Sequence, residues 1–285
     1  MKIRELFQDY RDLYLEHAAL NPERALHAWK HLGPIFGPMD AERLPAGAVA
    51  RYTTSRQASP GTINRELGVL AAALRWGAAN GYTSVVPHIS KMRSPPPRSR
   101  VLDEGEIVQL LKAAEPWPHV LLYIKLALLT GQRKEAILDL RWENINGDVI
   151  DFASPYLRGA GRRKGRAVLP VSKELRQVLD EAQDRQTRSS STSGHGWVVC
   201  DTVGYRCRSF RRAWAKVVEA AGLADTSVTP HTLRHTAATR LLHKGGSLVE
   251  AARFLGHRST RTTEETYVKW QPDYLKGAVE MVGLP

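Results

Sequence analysis

Apolar side chains recur along the chain in two regimes, one helical throughout and one mixed. In the first, Ile63, Leu67, Leu70 and Leu74 repeat at the three- and four-residue intervals of a single helical face. Ser59-Pro60-Gly61-Thr62 supplies the start signal of that helix and Gly81 its stop. Two further amphipathic stretches, residues 5–18 and 46–56, complete an all-helical module over residues 1–90. Residues 91–101 break the pattern: Pro95, Pro96 and Pro97 forbid helix, and Lys91, Arg93, Arg98 and Arg100 appear without an acid, as in a semi-rigid basic linker.

Beyond the linker, Asp103 and Glu106 stand at capping-box spacing and open a helix that buries Ile107, Leu110 and Leu111. A second helix runs to Leu129 with almost no polar face, so it must be buried, and Gly131 closes it. The period then shortens. Asn146-Gly147-Asp148 marks a turn, and residues 149–152 and 167–169 read as strands. Residues 187–196, rich in Ser, Thr and Gly, read as a surface loop. Helices resume from about Arg206, run through residues 231–243, and restart at Ser247 after Gly245-Gly246. A tail from Pro272, with Tyr274, Leu275, Val279 and Met281, reads as an amphipathic helix that packs either on its own domain or on a neighbour. The expected fold is mainly α with a small antiparallel β-sheet in the second domain, residues 102–285.

Composition narrows the partner. The 285 residues, 42% of them hydrophobic, can build one large core or two ordinary ones. Lys and Arg outnumber Asp and Glu by 41 to 29, a net charge of +12 that calls for a polyanion, double-stranded DNA before any other. An acidic membrane fits less well: the longest apolar stretch, residues 120–129, carries Lys125 and is half the ~20 residues a span needs. The N-terminus carries no secretory signal, so a cytoplasmic, nucleoid-associated protein is expected. Two cysteines, Cys200 and Cys207, have neither the spacing nor the neighbours of a metal site and read as reduced structural thiols. Asn64, Arg65 and Arg75 fall off the apolar stripe of their helix and lie either along a DNA groove or toward water. The linker's Arg93 and the cluster Arg206, Arg208, Arg211 and Arg212 pose the same choice between phosphate contact and a solvated face.

Four short stretches gather the side chains that phosphoryl transfer needs: Thr130-Gly131-Gln132-Arg133, His231-Thr232-Leu233-Arg234-His235, Leu255-Gly256-His257 and Thr266-Tyr267. Attack on a phosphodiester requires a nucleophile, cationic donors for the non-bridging oxygens and an acid for the departing oxygen. His231 and Arg234 share a face near the start of a helix that Pro230 initiates, and His257 sits at a helix end, where a cation is stabilised. His231 and His235 have i,i+4 spacing that can hold zinc, but no metalloprotease Glu lies between them; His235 reads as a packing or hydrogen-bonding residue.

The ordered series of Arg133, His231-x-x-Arg234, Leu-Gly-His257 and Tyr267, the last ten positions after His257, resembles the C-terminal signature of the tyrosine recombinases, which include the phage integrases. The resemblance covers about residues 100–275 and implies a two-domain architecture, a helical core-binding domain followed by a mixed α/β catalytic domain. It implies that Arg133, Arg234 and His257 bind the scissile phosphate and that Tyr267 attacks it, giving a 3′-phosphotyrosine. His231 would assist proton transfer or support the phosphate. A hairpin lysine would protonate the leaving oxygen; Lys164 is the candidate, with Arg162 and Arg163 as backbone clamps beside it. Neither ATP, metal nor any other cofactor is implied. The implied partners are double-stranded DNA with a specific site, a homotetramer on paired sites formed from a monomer or weak oligomer, and an accessory DNA-bending or excision factor.

Two departures stand out. Ala136 occupies the place where the family often has Glu, with Glu135 one position earlier, and the interval from His257 to Tyr267 is one residue longer than the commonest spacing. A DNA-binding module of the same fold without catalysis, and a type IB topoisomerase with the same chemistry, are the competing readings. Under the resemblance, the lack of the extra N-terminal residues that some phage integrases use to bind arm sites implies a simpler system.

Overall fold

The computed structural model describes residues 1–18, 22–93, 100–153, 165–188, 196–207 and 209–267. Arg162, Arg163, Lys164, Arg208, most of the 187–196 loop and the whole tail from Pro272 lie outside the described residues. The chain divides into two compact units, Met1–Pro97 and Arg98–Pro285.

The first unit is helical throughout. Helix α1 (Ile3–Tyr10) runs through a π-helical turn, Arg11–Leu15, into the short α2 (Glu16–Ala18). Helices α3 (Pro22–Phe36), α4 (Ala48–Ser55) and α5 (Pro60–Ala79) follow. Helix α3 is absent from the sequence reading, because Gly33 and Pro34 look like breakers; they fall in its last turn, while Ala25, Ala28, Leu32 and Phe36 form its buried stripe. Trp29 of α3 stacks on Phe7 of α1 at 3.9 Å between ring centroids. Helix α5 starts as the sequence predicts: the Ser59 hydroxyl accepts from the Thr62 amide at 3.3 Å, and Pro60 occupies the first turn.

Two polar residues of α5 are engaged by neighbouring segments. The Asn64 carboxamide donates to the Met92 carbonyl at 2.9 Å and accepts from its amide at 2.8 Å, so it clamps the segment that carries Arg93. Glu66 is 6% exposed amid the apolar face of α5, where it takes a hydrogen bond from the Tyr52 hydroxyl at 2.6 Å and from Arg56 at 2.8 and 3.1 Å. A buried carboxylate is tolerated only when paired in this way.

The second unit opens with α6 (Glu104–Ala114), and the predicted capping box forms: the Asp103 carboxylate accepts from the Glu106 amide at 2.8 Å, and the reciprocal bond is 3.0 Å. Helix α7 (Pro118–Thr130) buries Val120, Tyr123, Ile124, Leu126 and Ala127 and packs along α11 (Pro230–His243). After the short α8 (Lys134–Leu138) come three strands, β1 (Ile145–Asn146), β2 (Val149–Asp151) and β3 (Val168–Pro170), antiparallel in that order. The register pairs Ile150 with Leu169, both facing the core, while Val149 and Val168 face out, the period-two pattern of a one-sided sheet. Helix α9 (Lys173–Arg188) precedes α10, which spans Arg211–Ala220. The expected start near Arg206 is corrected by the fold, since Arg206 bridges to Cys200 in extended backbone. Helices α12 (Leu248–Phe254) and α13 (Arg261–Tyr267) end the described chain. Among the described residues, no helix is long and apolar enough to cross a membrane.

The Glu66 cluster carries a stability test. Glu66→Gln removes the charge that Arg56 and Tyr52 are built around and should cost about 1.5–3 kcal/mol, read as a lower midpoint in urea unfolding.

Candidate active site

Arg234 lies one turn into α11, on the side that meets α7. The residue is 2% exposed and its guanidinium is held by backbone: it donates to the Gly131 carbonyl at 2.7 Å and the Leu255 carbonyl at 2.9 Å. Its third contact, at 2.9 Å, is Nε2 of His257. Both carbonyls come from helix ends, where acceptors are left over once the ladder stops. Gly131 ends α7 at φ +61°, and a Cβ there would stand 2.5 Å from the Phe254 ring, so glycine is required both for the turn and for the fit.

Arg133 follows two residues later as the N-cap of α8, and its guanidinium donates to the Gly165 carbonyl just before β3. Between the two, the buried side chain of Gln132 ties the elements together. It donates to the carbonyls of Thr130 and Phe254 at 3.1 and 2.6 Å and accepts from the Ala167 amide at 3.4 Å. The turn that carries His257 is pressed on the same strand: Gly256 has φ +65°, and a Cβ there would meet the Arg166 carbonyl carbon at 2.6 Å. Sequence reasoning assigns no role to Gln132; its signal is a polar side chain between a helix-ending glycine and a candidate arginine.

Since Arg234 can only donate, Nε2 of His257 accepts, and the ring hydrogen sits on Nδ1. The Thr263 hydroxyl, fully buried on α13, lies 2.8 Å from that nitrogen. Burial, then the charges of Arg234 and Arg133, push the His257 pKa from 6.5 to about 4. The expected stabilisation of a cation at this helix end is therefore overridden; desolvation and two guanidiniums outweigh a helix dipole.

Tyr267 closes α13 and is 2% exposed. Burial raises its pKa to about 12, against the pull of Arg234 and Arg133. Its hydroxyl lies 2.8 Å from Nδ1 of His235, and His235 in turn meets the exposed His231 ring edge-on at 4.6 Å between centroids. His231, Arg234 and His235 thus sit together on α11.

The charge balance of this cluster is unusual. Burial lowers the pKa of Arg133, with Arg166 adding repulsion, and burial followed by repulsion from Arg133 brings that of Arg234 to about 10. Neither guanidinium has a carboxylate partner among the described residues. Their neighbours differ. Arg166 pairs with Asp139 at 2.5 Å, and Arg206 pairs with Asp139 at 2.7 Å and Glu135 at 2.8 Å. Glu135 therefore buttresses a second arginine, and Arg206, for which the sequence left phosphate contact and a solvated face both open, is held by two acids. Arg166, Arg253, His257 and Arg258 also line an open cleft of about 470 Å³ beside the cluster. Arg65 and Arg93 of the first unit and Arg211 and Arg212 of the second are exposed, with Arg65 folded back on the Gly61 carbonyl at 2.8 Å. Among the described residues, no group of three or more His, Cys, Asp or Glu side chains is placed to hold a metal ion.

Residues 100–273 match the model of the phage integrase family. An integrase of Streptomyces ambofaciens is 29% identical over 282 residues, covering 90% of this chain and 72% of that protein. Tyrosine recombinase XerC of Chlamydia muridarum is 28% identical over 71% of this chain, and the match spans 65%, just under two thirds, of its length. Among solved structures, a lambda integrase dimer bound to a COC′ core site shares the fold with a TM-score of 0.73 at 18% identity, over 92% of this chain and 97% of that one. The Tn1549 transposon integrase in complex with transposon right end DNA does so with 0.77 at 15% identity, over 99% of each. The chain belongs to the phage integrase family, the tyrosine recombinases that cut and rejoin DNA.

Proposed function

We propose that the chain is a site-specific recombinase whose Tyr267 forms a 3′-phosphotyrosine with DNA. The observation that carries this reading is the pair of guanidiniums, Arg133 and Arg234, without carboxylate partners among the described residues and near the same tyrosine. Crowded cations are costly at rest and are relieved by an anion. A phosphodiester supplies that anion, and the pentacoordinate transition state, with more charge on its oxygens, is bound more tightly still. His257 adds a third contact to the phosphate, and His231 supports it from the start of α11. Lys164 donates the proton to the leaving 5′-oxygen. Because the phosphotyrosine keeps the energy of the broken bond, rejoining is the reverse reaction and draws on neither ATP nor a metal.

Arg65, Arg93, Arg162, Arg163 and Arg211 contact the DNA backbone, and Asn64 contributes by fixing the segment that carries Arg93. The active assembly is a homotetramer on two paired double-stranded sites, formed from a monomer or weak oligomer with the help of an accessory DNA-bending or excision factor. A lambda integrase tetramer bound to a Holliday junction, TM-score 0.72 at 19% identity, supports this form. The first unit is the core-binding domain, the second the catalytic domain, and the nucleoid is the place of action.

Tyr267→Phe should bind the recombination site as the wild type does and form no covalent adduct with a nicked suicide substrate; an adduct would mean another nucleophile. Affinity for the site should fall with log salt concentration at a slope near −0.9 for each phosphate neutralised, and a flat dependence would remove the electrostatic reading.

The His257 environment predicts a pH effect in the DNA-free protein. Above about pH 6.5 the imidazole is neutral in both folded and unfolded chains; between about 6.5 and 4 only the unfolded chain takes up the proton. Stability should therefore fall as the pH drops through that window, and His257→Asn should flatten the fall measured by thermal unfolding.

A further inference from the structure

Attack by a phenol releases a proton, and neither Arg133 nor Arg234 can take it, since each is already charged. The hydroxyl of Tyr267 has one hydrogen-bond partner among the described residues, Nδ1 of His235 at 2.8 Å. The two rings lie 5.5 Å apart at 51°, with the tyrosine 2% exposed and the imidazole partly buried. His235 follows Arg234 directly on α11, so the residue beside a phosphate-binding guanidinium holds the nucleophile. Both Arg133 and Arg234 favour the phenolate electrostatically, which leaves a base in contact with the oxygen as the missing part.

We propose that His235 is a catalytic residue, the general base that accepts the Tyr267 proton during strand cleavage and returns it during rejoining. The proposal rests on Tyr267 as the nucleophile. In cleavage, the phenolic proton passes to Nδ1 of His235 while Oη bonds phosphorus and the bond to the 5′-oxygen breaks. The electron pair of that bond leaves on the 5′-oxygen, which takes its proton from the acid assigned to Lys164. One proton is gained by the imidazole and one is lost by the lysine, so charge balances. In rejoining, the 5′-hydroxyl returns its proton to the lysine as it attacks phosphorus, and the departing phenolate reclaims its own from the imidazolium. His231, exposed, meets the ring of this base edge-on at 4.6 Å between centroids.

The test is single-turnover cleavage of a suicide substrate by the full chain. His235→Asn keeps a polar group at the position of Nδ1 that cannot accept a proton, and His235→Ala removes it. Both should form the Tyr267 adduct about 10²-fold or more slowly, with DNA affinity and thermal midpoint near wild type. A substrate with sulfur in place of the bridging 5′-oxygen leaves without protonation, so it should rescue loss of the acid and leave the His235→Asn defect in place. Replacing Tyr267 with trifluorotyrosine, a more acidic phenol, should narrow the gap between His235→Asn and wild type. Cleavage by His235→Asn at the wild-type rate or faster, rescue by the sulfur substrate, or an unchanged gap with trifluorotyrosine would each overturn the proposal. If both variants fail to fold, the wild-type chain on the sulfur substrate decides, where cleavage slows in heavy water if a base removes the phenolic proton and is unchanged if none does. An adduct in Tyr267→Phe would instead sink the underlying assignment of the nucleophile.

Discussion

A buried positive charge without a negative partner among the described residues governs the second unit. Arg234 is surrounded by carbonyl dipoles from two helix ends and by a neutral imidazole, which satisfy its hydrogens but leave its charge uncompensated. Such a site is stable only if its lining is rigid, because any relaxation would let water or a carboxylate in. The surrounding features serve that rigidity. Gly131 ends α7 where its carbonyl faces the guanidinium, Gln132 ties that end to α12 and β3, and Gly256 lets the His257 turn press on the strand beside Arg133. The carboxylates close by are spent on Arg166 and Arg206, so they do not neutralise the two arginines that face the site.

The sequence makes the helix starts legible because they are local. Ser59 and Asp103 cap where their spacing says, and Gly131 closes α7 in the left-handed conformation. The cluster of Arg133, Arg234, His257 and Tyr267 is legible through the order of its motifs. Tertiary partners are not, because no spacing records them. Thr263 and Gln132 look ordinary in the chain and become essential only once α13, α12 and β3 meet. Nothing local to Arg206 announces its pairing with Asp139 and Glu135, about seventy residues earlier in the chain. Helix α3 is hidden for a simpler reason: Gly33 and Pro34 are breakers in a helix interior but tolerable in a last turn.

The missing Glu at position 136 finds its explanation in the same network. Ala136 is 2% exposed in the hydrophobic core, a position a carboxylate would occupy only with a partner. The acids sit instead at Glu135 and Asp139, on the side of α8 that meets Arg206 and Arg166, so one side of the short helix serves the core and the other the charge network.

The choice of a threonine beside His257 has its own consequence. A carboxylate at that place would hold the ring in one protonation pattern and draw it toward a permanent charge. A hydroxyl both gives and receives a hydrogen, so the Thr263 contact survives when the ring hydrogen moves from Nδ1 to Nε2. His257 can then exchange a role as acceptor from Arg234 for one as donor to an oxygen without turning its ring or breaking its support, and the anchor is indifferent to which role it plays.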